Sequence, residues 1–274
     1  MRTEFLAEKT LLLPGGLALP PDKVLNKACL RSLSGCEEEW LACHADTPSV
    51  ARVTWLLNAC LVSLGDDPAT SDLVRQLLVA DREYLIWQLR RLTLGDHIQG
   101  VVPCPACNNK MDVSFLASEV PVEFRPQNVR SYTLELSGRT VRFRLPTGGD
   151  QDAMLGTTSE DGVVELLKRC TLDEGGQPLL AEERDVVIAA MEQLAPQFNL
   201  ELDLTCPECS EHFLAPFDTT AFFFEEMGSQ GKQLLQEIHA LALYYHWSES
   251  EILRMERGRR RAYLGLLSDA LRQE

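Results

Sequence analysis

Cys104-Pro105-Ala106-Cys107 and Cys206-Pro207-Glu208-Cys209 are two copies of one pattern, C-P-x-C, and 98 residues separate them. Each copy lies between two runs in which apolar residues alternate with other residues: the first between Ile98 and Phe115, the second between Leu200 and Phe217. A shift of 102 positions superimposes the first copy and its apolar neighbours on the second. Alternation of this kind indicates strands, so each cysteine pair is predicted at the tip of a β-hairpin.

Two thiolates in a tight turn between strands form half of a tetrahedral zinc site. The two halves together predict one structural Zn²⁺ with four ligands, Cys104, Cys107, Cys206 and Cys209. Such a site has no open position for water or substrate. A thioredoxin-like redox motif would place its C-x-x-C at the start of a helix, which the strand-like flanks do not favour. Two reduced, buried cysteine pairs without metal are the simpler alternative.

The long separation between the pairs predicts a small domain inserted between the knuckles, because ordinary zinc ribbons separate their halves by far fewer residues. The inserted segment has a hairpin pattern, with runs at 132–136 and 140–145 that flank Ser137-Gly138-Arg139. Helices are predicted at about 161–170 and 181–194. The predicted fold class is therefore α+β and mainly helical, with a zinc-ribbon-like pair of knuckles brought together across an inserted α+β segment. The predicted parts are a mainly helical N-terminal region (1–97), the first zinc-knuckle hairpin (98–120), the inserted hairpin with helices (121–198), the second zinc-knuckle hairpin (199–220) and the C-terminal helices (221–274).

The regions outside the knuckles contain clear helix signals. Ser34 with Glu37, and Ser248 with Glu251, have the spacing of a capping box. Apolar residues at helical spacing predict a helix over about 49–64. Asp81 is expected to cap the helix that follows. A strand is predicted at 24–33, and the last helix is expected to pack on the core or to insert into a partner's groove.

The charge of the chain argues against several kinds of partner. Its net charge is −15, whereas binding to nucleic acid needs clustered Lys and Arg. No apolar run approaches the 18 or so residues of a membrane span.

One basic cluster near the C-terminus is predicted either to be a solvated helix face or to bind an acidic partner surface. Its residues are Arg254, Arg257, Arg259, Arg260 and Arg261, followed by Tyr263.

Five further cysteines are expected to be free, buried thiols in a reducing, cytoplasmic compartment. They are Cys29, Cys36, Cys43, Cys60 and Cys170. The spacing of the first three, with His44 next to the third, leaves a second metal site as an alternative. The chain has no G-x-x-x-x-G-K-[ST], G-x-S-x-G or H-E-x-x-H motif. We therefore expect no catalytic residues, no enzyme activity and no small-molecule substrate, and a hydrolase remains a distant alternative.

Several stretches resemble a known family. Asp81–Leu85, Leu89–Asp96 and Cys104–Cys107 are similar to the baseplate-hub assembly chaperones of T-even-type contractile phages. The resemblance is closest to the longer relatives found with phage-tail-like contractile injection systems. These relatives also have a second C-P-x-C, a tail like His239–Leu253, an arginine run and a Tyr-Leu pair, here Tyr263-Leu264. This chain departs from them where they often have Gly after each cysteine pair and Pro before the arginine run.

The resemblance implies a protein without catalytic activity that helps to build the baseplate hub. Its implied partners are hub or spike proteins of a contractile particle. It would act in the cytoplasm during assembly, either as a transient chaperone or as a component retained in the particle. The alternative from the residues alone is a zinc-ribbon regulatory or nucleic-acid-binding module, whose affinity would depend strongly on salt.

Overall fold

The computed structural model describes residues 8–136, 138–157, 159–172, 179–198 and 200–272. It combines one four-stranded sheet, three two-stranded hairpins and a set of helices around them. The predicted α+β class with a zinc-ribbon-like pair of knuckles is confirmed. Ser137, in the turn of the predicted inserted hairpin, lies outside the described residues. Within the described ranges, no helix has both the length and the apolar character needed to cross a bilayer.

The N-terminal region contains an antiparallel sheet of four strands, of which the sequence predicted only the second. In order across the sheet they are β1 (Glu8–Leu19), β2 (Lys23–Arg31), β3 (Leu61–Leu64) and β4 (Asp67–Pro68). The prediction of a helix over 49–64 was wrong at its C-terminal end, because the helix stops at Cys60 and residues 61–64 form β3. Leu61 and Leu64 are buried in either conformation, so apolar spacing could not reveal that they pair with β2.

Asp81 has a different role from the predicted helix cap. The helix begins at Val79, with Leu78 as its N-cap. The register of β1 and β2 shifts between Leu12 and Leu17. There the Asp81 carboxylate accepts hydrogen bonds from the backbone N–H groups of Gly15 (2.7 Å) and Gly16 (2.8 Å). Asp81 therefore satisfies two buried donors that the irregular strand leaves unpaired.

Four helices of the N-terminal region contribute side chains to the principal core. They are α1 (Gly35–Cys43), α2 (Ser49–Cys60), α3 (Ser71–Gln76) and α4 (Val79–Leu94). The predicted capping box at Ser34 and Glu37 starts α1. Helix α4 packs directly on β1 and β2. It is buried on most of its surface, and Trp87 and Leu85 join the core. Gly95 ends α4 with a φ of 91°, a conformation that glycine adopts without strain.

The two knuckle hairpins flank the inserted segment, as the sequence predicted. The first consists of β5 (His97–Pro103) and β6 (Lys110–Leu116), and the second of β9 (Leu200–Thr205) and β10 (His212–Phe217). The insertion contains the hairpin β7 (Tyr132–Leu136) and β8 (Arg139–Phe143), then α5 (Gly148–Ala153), α6 (Ser159–Cys170) and α7 (Ala181–Leu194). Val141, Phe143 and Val187 belong to a small core of its own.

The C-terminal helices are α8 (Thr219–Ser229), α9 (Gly231–Tyr245), α10 (Glu249–Leu253) and α11 (Arg257–Arg272). Phe223 and Phe224 of α8 reach the principal core. Helices α9 to α11 enclose a separate small core that includes Leu241 and Ile252. The predicted capping box at Ser248 and Glu251 starts α10.

Candidate metal centre

Each hairpin ends in the same tight turn. In the first, the Cys104 N–H donates to the Asn109 carbonyl (2.8 Å), and the Asn108 N–H donates to the Cys104 carbonyl (2.9 Å). In the second, Cys206 donates to Glu211 (2.8 Å) and accepts from Ser210 (2.9 Å). The two turns are therefore equivalent in their backbone hydrogen bonds.

Asn108 and Ser210 occupy the position where related knuckles often have glycine. Both have a φ of 59°, in the left-handed region. Asn tolerates this region, whereas a left-handed conformation costs an ordinary L-residue such as Ser about 1–2 kcal/mol. Asn108 and Ser210 therefore both adopt the left-handed conformation that glycine would accept without strain.

The two turns bring all four cysteines together. The four Sγ atoms lie within 4.8 Å of one another. Cys104 Sγ is 3.6 Å from Cys209 Sγ, and Cys107 Sγ is 3.6 Å from Cys206 Sγ, so each close pair takes one sulfur from each hairpin. Four sulfurs about 2.3 Å from one zinc ion at tetrahedral corners lie about 3.8 Å apart. The spacing fits a shared ion and is too long for a disulfide, which needs about 2.05 Å.

The site is half enclosed. Cys104 and Cys206, the first cysteine of each pair, are buried against Met111, whereas Cys107 and Cys209 are exposed. Partly buried Leu204 and Phe213 pack beside them. The site therefore sits at the surface with an apolar floor, and all four ligand positions are sulfur.

Electrostatics in the site favour a bound cation. Backbone hydrogen bonds from Cys209 and Glu208 lower the pKa of Cys206 to about 7. A hydrogen bond from the Glu211 backbone favours the Cys209 thiolate, but the adjacent Cys107 sulfur and the other cysteines outweigh it and raise the pKa of Cys209 to about 12. Neighbouring thiolates repel one another. A divalent cation would compensate the charge that four thiolates bring together.

Aromatic side chains join the hairpins at the end opposite to the cysteines. The Phe115 and Phe217 rings meet edge to face, with centroids 5.5 Å apart. Trp87 of α4 contacts Phe217 at 6.5 Å and donates a hydrogen bond from its Nε1 to the Ala117 carbonyl. Edge-to-face contacts of this kind add about 0.5–1.5 kcal/mol per pair. The two hairpins are thus fixed at their base by the core and meet at their tips through sulfur.

Arg90 ties the start of the first hairpin to the helix after the second. Its guanidinium donates to the carbonyl groups of Gly95 (2.6 Å) and His97 (2.9 Å), just before and at the start of β5. It also forms a bidentate pair with Glu226 of α8 (3.0 and 2.9 Å). The Arg90 side chain is only 2% exposed, whereas its partner Glu226 is 23% exposed, so the donor is buried and the pair reaches the surface on the Glu226 side.

A backbone bridge at the base of the insertion explains how cysteines so far apart in sequence meet. Glu123 and Gln197 exchange backbone hydrogen bonds in an antiparallel bridge (2.9 and 3.2 Å). Nearby, Val120 and Phe198 both enter the principal core. The chain therefore leaves the first hairpin and returns to the second at nearly one point, and the insertion between them also packs on the N-terminal region through α5.

The other cysteines do not form a second site. Among the described residues, the four knuckle cysteines are the one group of three or more His, Cys, Asp or Glu side chains placed to share a metal ion. The predicted alternative at Cys29, Cys36, Cys43 and His44 is not assembled. Cys60 and Cys170 are buried as expected, but the expectation was wrong for Cys36 and Cys43, which are exposed on α1.

The structure divides the predicted arginine patch. Arg254 and Arg261 are exposed, and Arg259 and Tyr263 are half-buried. Arg257 and Arg260 are buried, which corrects their predicted role in a docking surface. Both arginines bind Glu38 of α1, at 2.9 Å and 2.8 Å respectively, across more than 200 residues of sequence.

These buried side chains form a charge cluster of Glu38, Glu237, Arg257 and Arg260, each at most 6% exposed. Arg260 Nε also donates to Glu237 of α9 (3.0 Å). Nothing in the local sequence distinguishes Glu38 from its neighbour Glu39. The cluster holds the C-terminal helices against α1, and only the fold reveals it.

Comparison with known proteins decides the class. A protein-family model described as T4 bacteriophage base plate protein matches residues 51–225, more than half of the chain. The chain belongs to this family. The match runs from within α2 into α8, so the matched region includes both knuckle hairpins and the insertion, whereas α9 to α11 lie beyond it. No curated protein and no solved structure matches the chain.

Proposed function

We propose that this base plate protein is a non-enzymatic assembly factor or structural component of the baseplate hub of a contractile phage tail or tail-like injection system. Family membership supports a structural or assembly role in a phage baseplate. The observation that carries the proposal is the closed four-sulfur site, which links two hairpins on either side of an insertion. Such a site holds surfaces in fixed relation to one another.

The proposed metal is a structural Zn²⁺ held by Cys104, Cys107, Cys206 and Cys209. Four thiolate ligands with tetrahedral spacing are the usual donor set of structural zinc. Because each hairpin supplies two of the four ligands, the ion would contribute its binding free energy to the joining of the hairpins. The chain's own residues fix the geometry: the knuckle turns orient the sulfurs, and the aromatic base holds the hairpins side by side.

A catalytic role for this site is not favoured by its chemistry. Catalytic zinc keeps a coordination position for water or substrate, whereas four sulfurs fill the shell. Hydrolysis needs that open position. We therefore propose that the protein acts through its binding surfaces, in the cytoplasm while the particle assembles.

Co-expression tests this proposal. The chain would be produced with the hub, spike and other baseplate proteins encoded beside it, one at a time, and purified through a tag on the chain. We expect a hub or spike protein to co-purify in a fixed ratio. Absence of every baseplate protein from the purified material would contradict the proposal. Quantifying the chain in purified particles then separates a retained component from a transient chaperone.

A zinc-ribbon module that binds nucleic acid predicts a different result. Such a protein should retard DNA or RNA in a gel at low salt and lose that binding as the salt concentration rises. For a chain with a net charge of −15 we expect no retardation. Salt-sensitive retardation by the zinc-loaded protein would favour the alternative over the proposed function.

A further inference from the structure

Helix α11 leaves the body of the protein after its second turn. Arg257 and Arg260 in its first turn are buried, and Tyr263 and Leu264 pack on the small core of α9 and α10. Every residue from 265 to 272 is exposed except Leu267, which is half-buried. We call residues 265–272 the arm.

The arm has an apolar face that nothing in the described chain covers fully. Leu266 is 63% exposed and Leu271 is 46% exposed. Together with Leu267 and Ala270 they continue the line of Tyr263 at intervals of three, four, seven and eight residues, which is one side of a helix. Because the apolar stripe of a helix normally packs on another surface, this pattern is typical of a segment that does so.

Charge indicates what kind of surface would cover the arm. The chain is strongly acidic overall, yet residues 254–272 contain six arginines and only two acidic residues, Glu256 and Asp269. Glu38 and Glu237 neutralise the two buried arginines. Arg254, Arg261 and Arg272 remain exposed, with Arg261 Nε 3.7 Å from Glu237 and Arg272 Nη1 3.9 Å from Asp269. Because exposed ion pairs contribute little to stability, Arg261 and Arg272 stay available to a partner. Complementary charge would come from Asp and Glu at the rim of a partner's groove.

The net charge of the chain disfavours two other occupants. A second copy would bring another body with a net charge of −15 to the contact, and the two bodies would repel each other. An anionic lipid surface would attract the arginines but repel a body whose net charge is −15. A different protein whose acidic residues are confined to the rim of one groove would place them beside the arginines, while salt screens them from the more distant acidic body.

We propose that the arm inserts as a helix into an apolar groove with an acidic rim on another baseplate subunit. This deepens the proposed function and rests on it, since it names the surface through which the chain would engage its partner. Leu266, Leu267 and Leu271 fill the groove, as in other helix-in-groove complexes. Arg261 and Arg272 pair with the rim and accelerate association.

The test uses the full zinc-loaded chain and each baseplate protein that co-purifies with it. The double substitution Leu266→Ala and Leu271→Ala should raise the dissociation constant by about 10- to 100-fold, because buried apolar anchors dominate such interfaces. Leu214→Ala is the matched control, since Leu214 is 58% exposed on the second hairpin, away from the arm. Arg272→Glu, at a side chain that is 78% exposed, should chiefly slow association and weaken its dependence on salt.

The outcomes separate the two proposals. If the parent binds no baseplate protein, the proposed function and the arm both fail. If the parent binds and the double variant binds equally well, the arm proposal alone is overturned. A dimer of the parent in sedimentation that the double variant loses would assign the arm to a second copy. Binding to vesicles containing anionic lipid, lost in the double variant, would assign it to a membrane, and either result overturns the proposal.

Discussion

Glu38→Gln tests whether the buried charge cluster holds the C-terminal helices to α1. Gln keeps the shape of the side chain and one acceptor oxygen but removes the negative charge. Glu38 accepts three hydrogen bonds: from Arg257 Nε (3.3 Å), Arg257 Nη2 (2.9 Å) and Arg260 Nη2 (2.8 Å). Its loss leaves Glu237 as the one buried carboxylate of the cluster for two buried arginines.

The expected cost is large because the groups are dry. Arg260 keeps Glu237 and the Met255 carbonyl (2.7 Å), whereas Arg257 keeps the amide oxygen of Gln230 and no carboxylate within the charge cluster. Removing one partner of a buried ion pair typically costs about 3–5 kcal/mol. We expect the free energy of unfolding to fall by that amount. Adding Arg257→Met should then cost less than the sum of the single changes, by about 0.5–3 kcal/mol, because the two side chains interact directly.

Urea denaturation at fixed zinc concentration measures these differences. Glu39→Gln is the matched control, since Glu39 is the next residue on α1 and lies outside the charge cluster. Surface changes of this kind typically stay within about 0.5 kcal/mol of the parent. If Glu38→Gln unfolds at the same urea concentration as the control, the charge cluster does not stabilise the fold and the reasoning fails.

Three further changes probe other contacts. Burial disfavours the charged form of Asp150, but hydrogen bonds from Arg144 outweigh that effect and hold the pKa of Asp150 well below its usual range. The carboxylate therefore stabilises the fold above about pH 4. In urea titrations at several pH values, the difference in free energy of unfolding between the parent and Asp150→Asn should shrink as the pH falls below that value. A difference that widens in acid would contradict this. Arg90→Met leaves the Gly95 and His97 carbonyls without their donor and should cost about 1–3 kcal/mol in the same assay; faster hydrogen exchange at the start of β5 should accompany it, and unchanged exchange there would argue against the tie. Ser248→Ala removes an N-cap and should cost about 0.5–2 kcal/mol, whereas a neutral result would show that α10 does not depend on it.

The sequence predicted the features that depend on local pattern. The knuckle hairpins follow from alternation around two C-P-x-C turns, and α7 occupies the predicted range 181–194. In both cases, the residues that indicate the element lie within it or next to it in the sequence. The convergence of the hairpins was also accessible, because zinc chemistry requires four ligands in one place.

Contacts between distant segments could not be predicted in this way. Strand β1 contains Pro14-Gly15-Gly16, which resembles a break, and it persists because Asp81 satisfies the N–H groups of Gly15 and Gly16. The arginines near the C-terminus resembled a surface patch until Glu38 was placed beside two of them. In both cases the deciding partner lies at least 65 residues away in sequence.

The zinc content of single-cysteine variants tests the central claim, that four distant sulfurs share one metal ion. The chain would be purified without metal-affinity chromatography, and zinc and protein would be quantified together by elemental analysis. We predict one zinc per parent chain, the same content in the exposed-cysteine control Cys36→Ser, and loss of zinc in both Cys104→Ser and Cys206→Ser, since each removes a ligand from a different hairpin. Full zinc content in either of those two variants, or two ions per parent chain, would contradict the shared site.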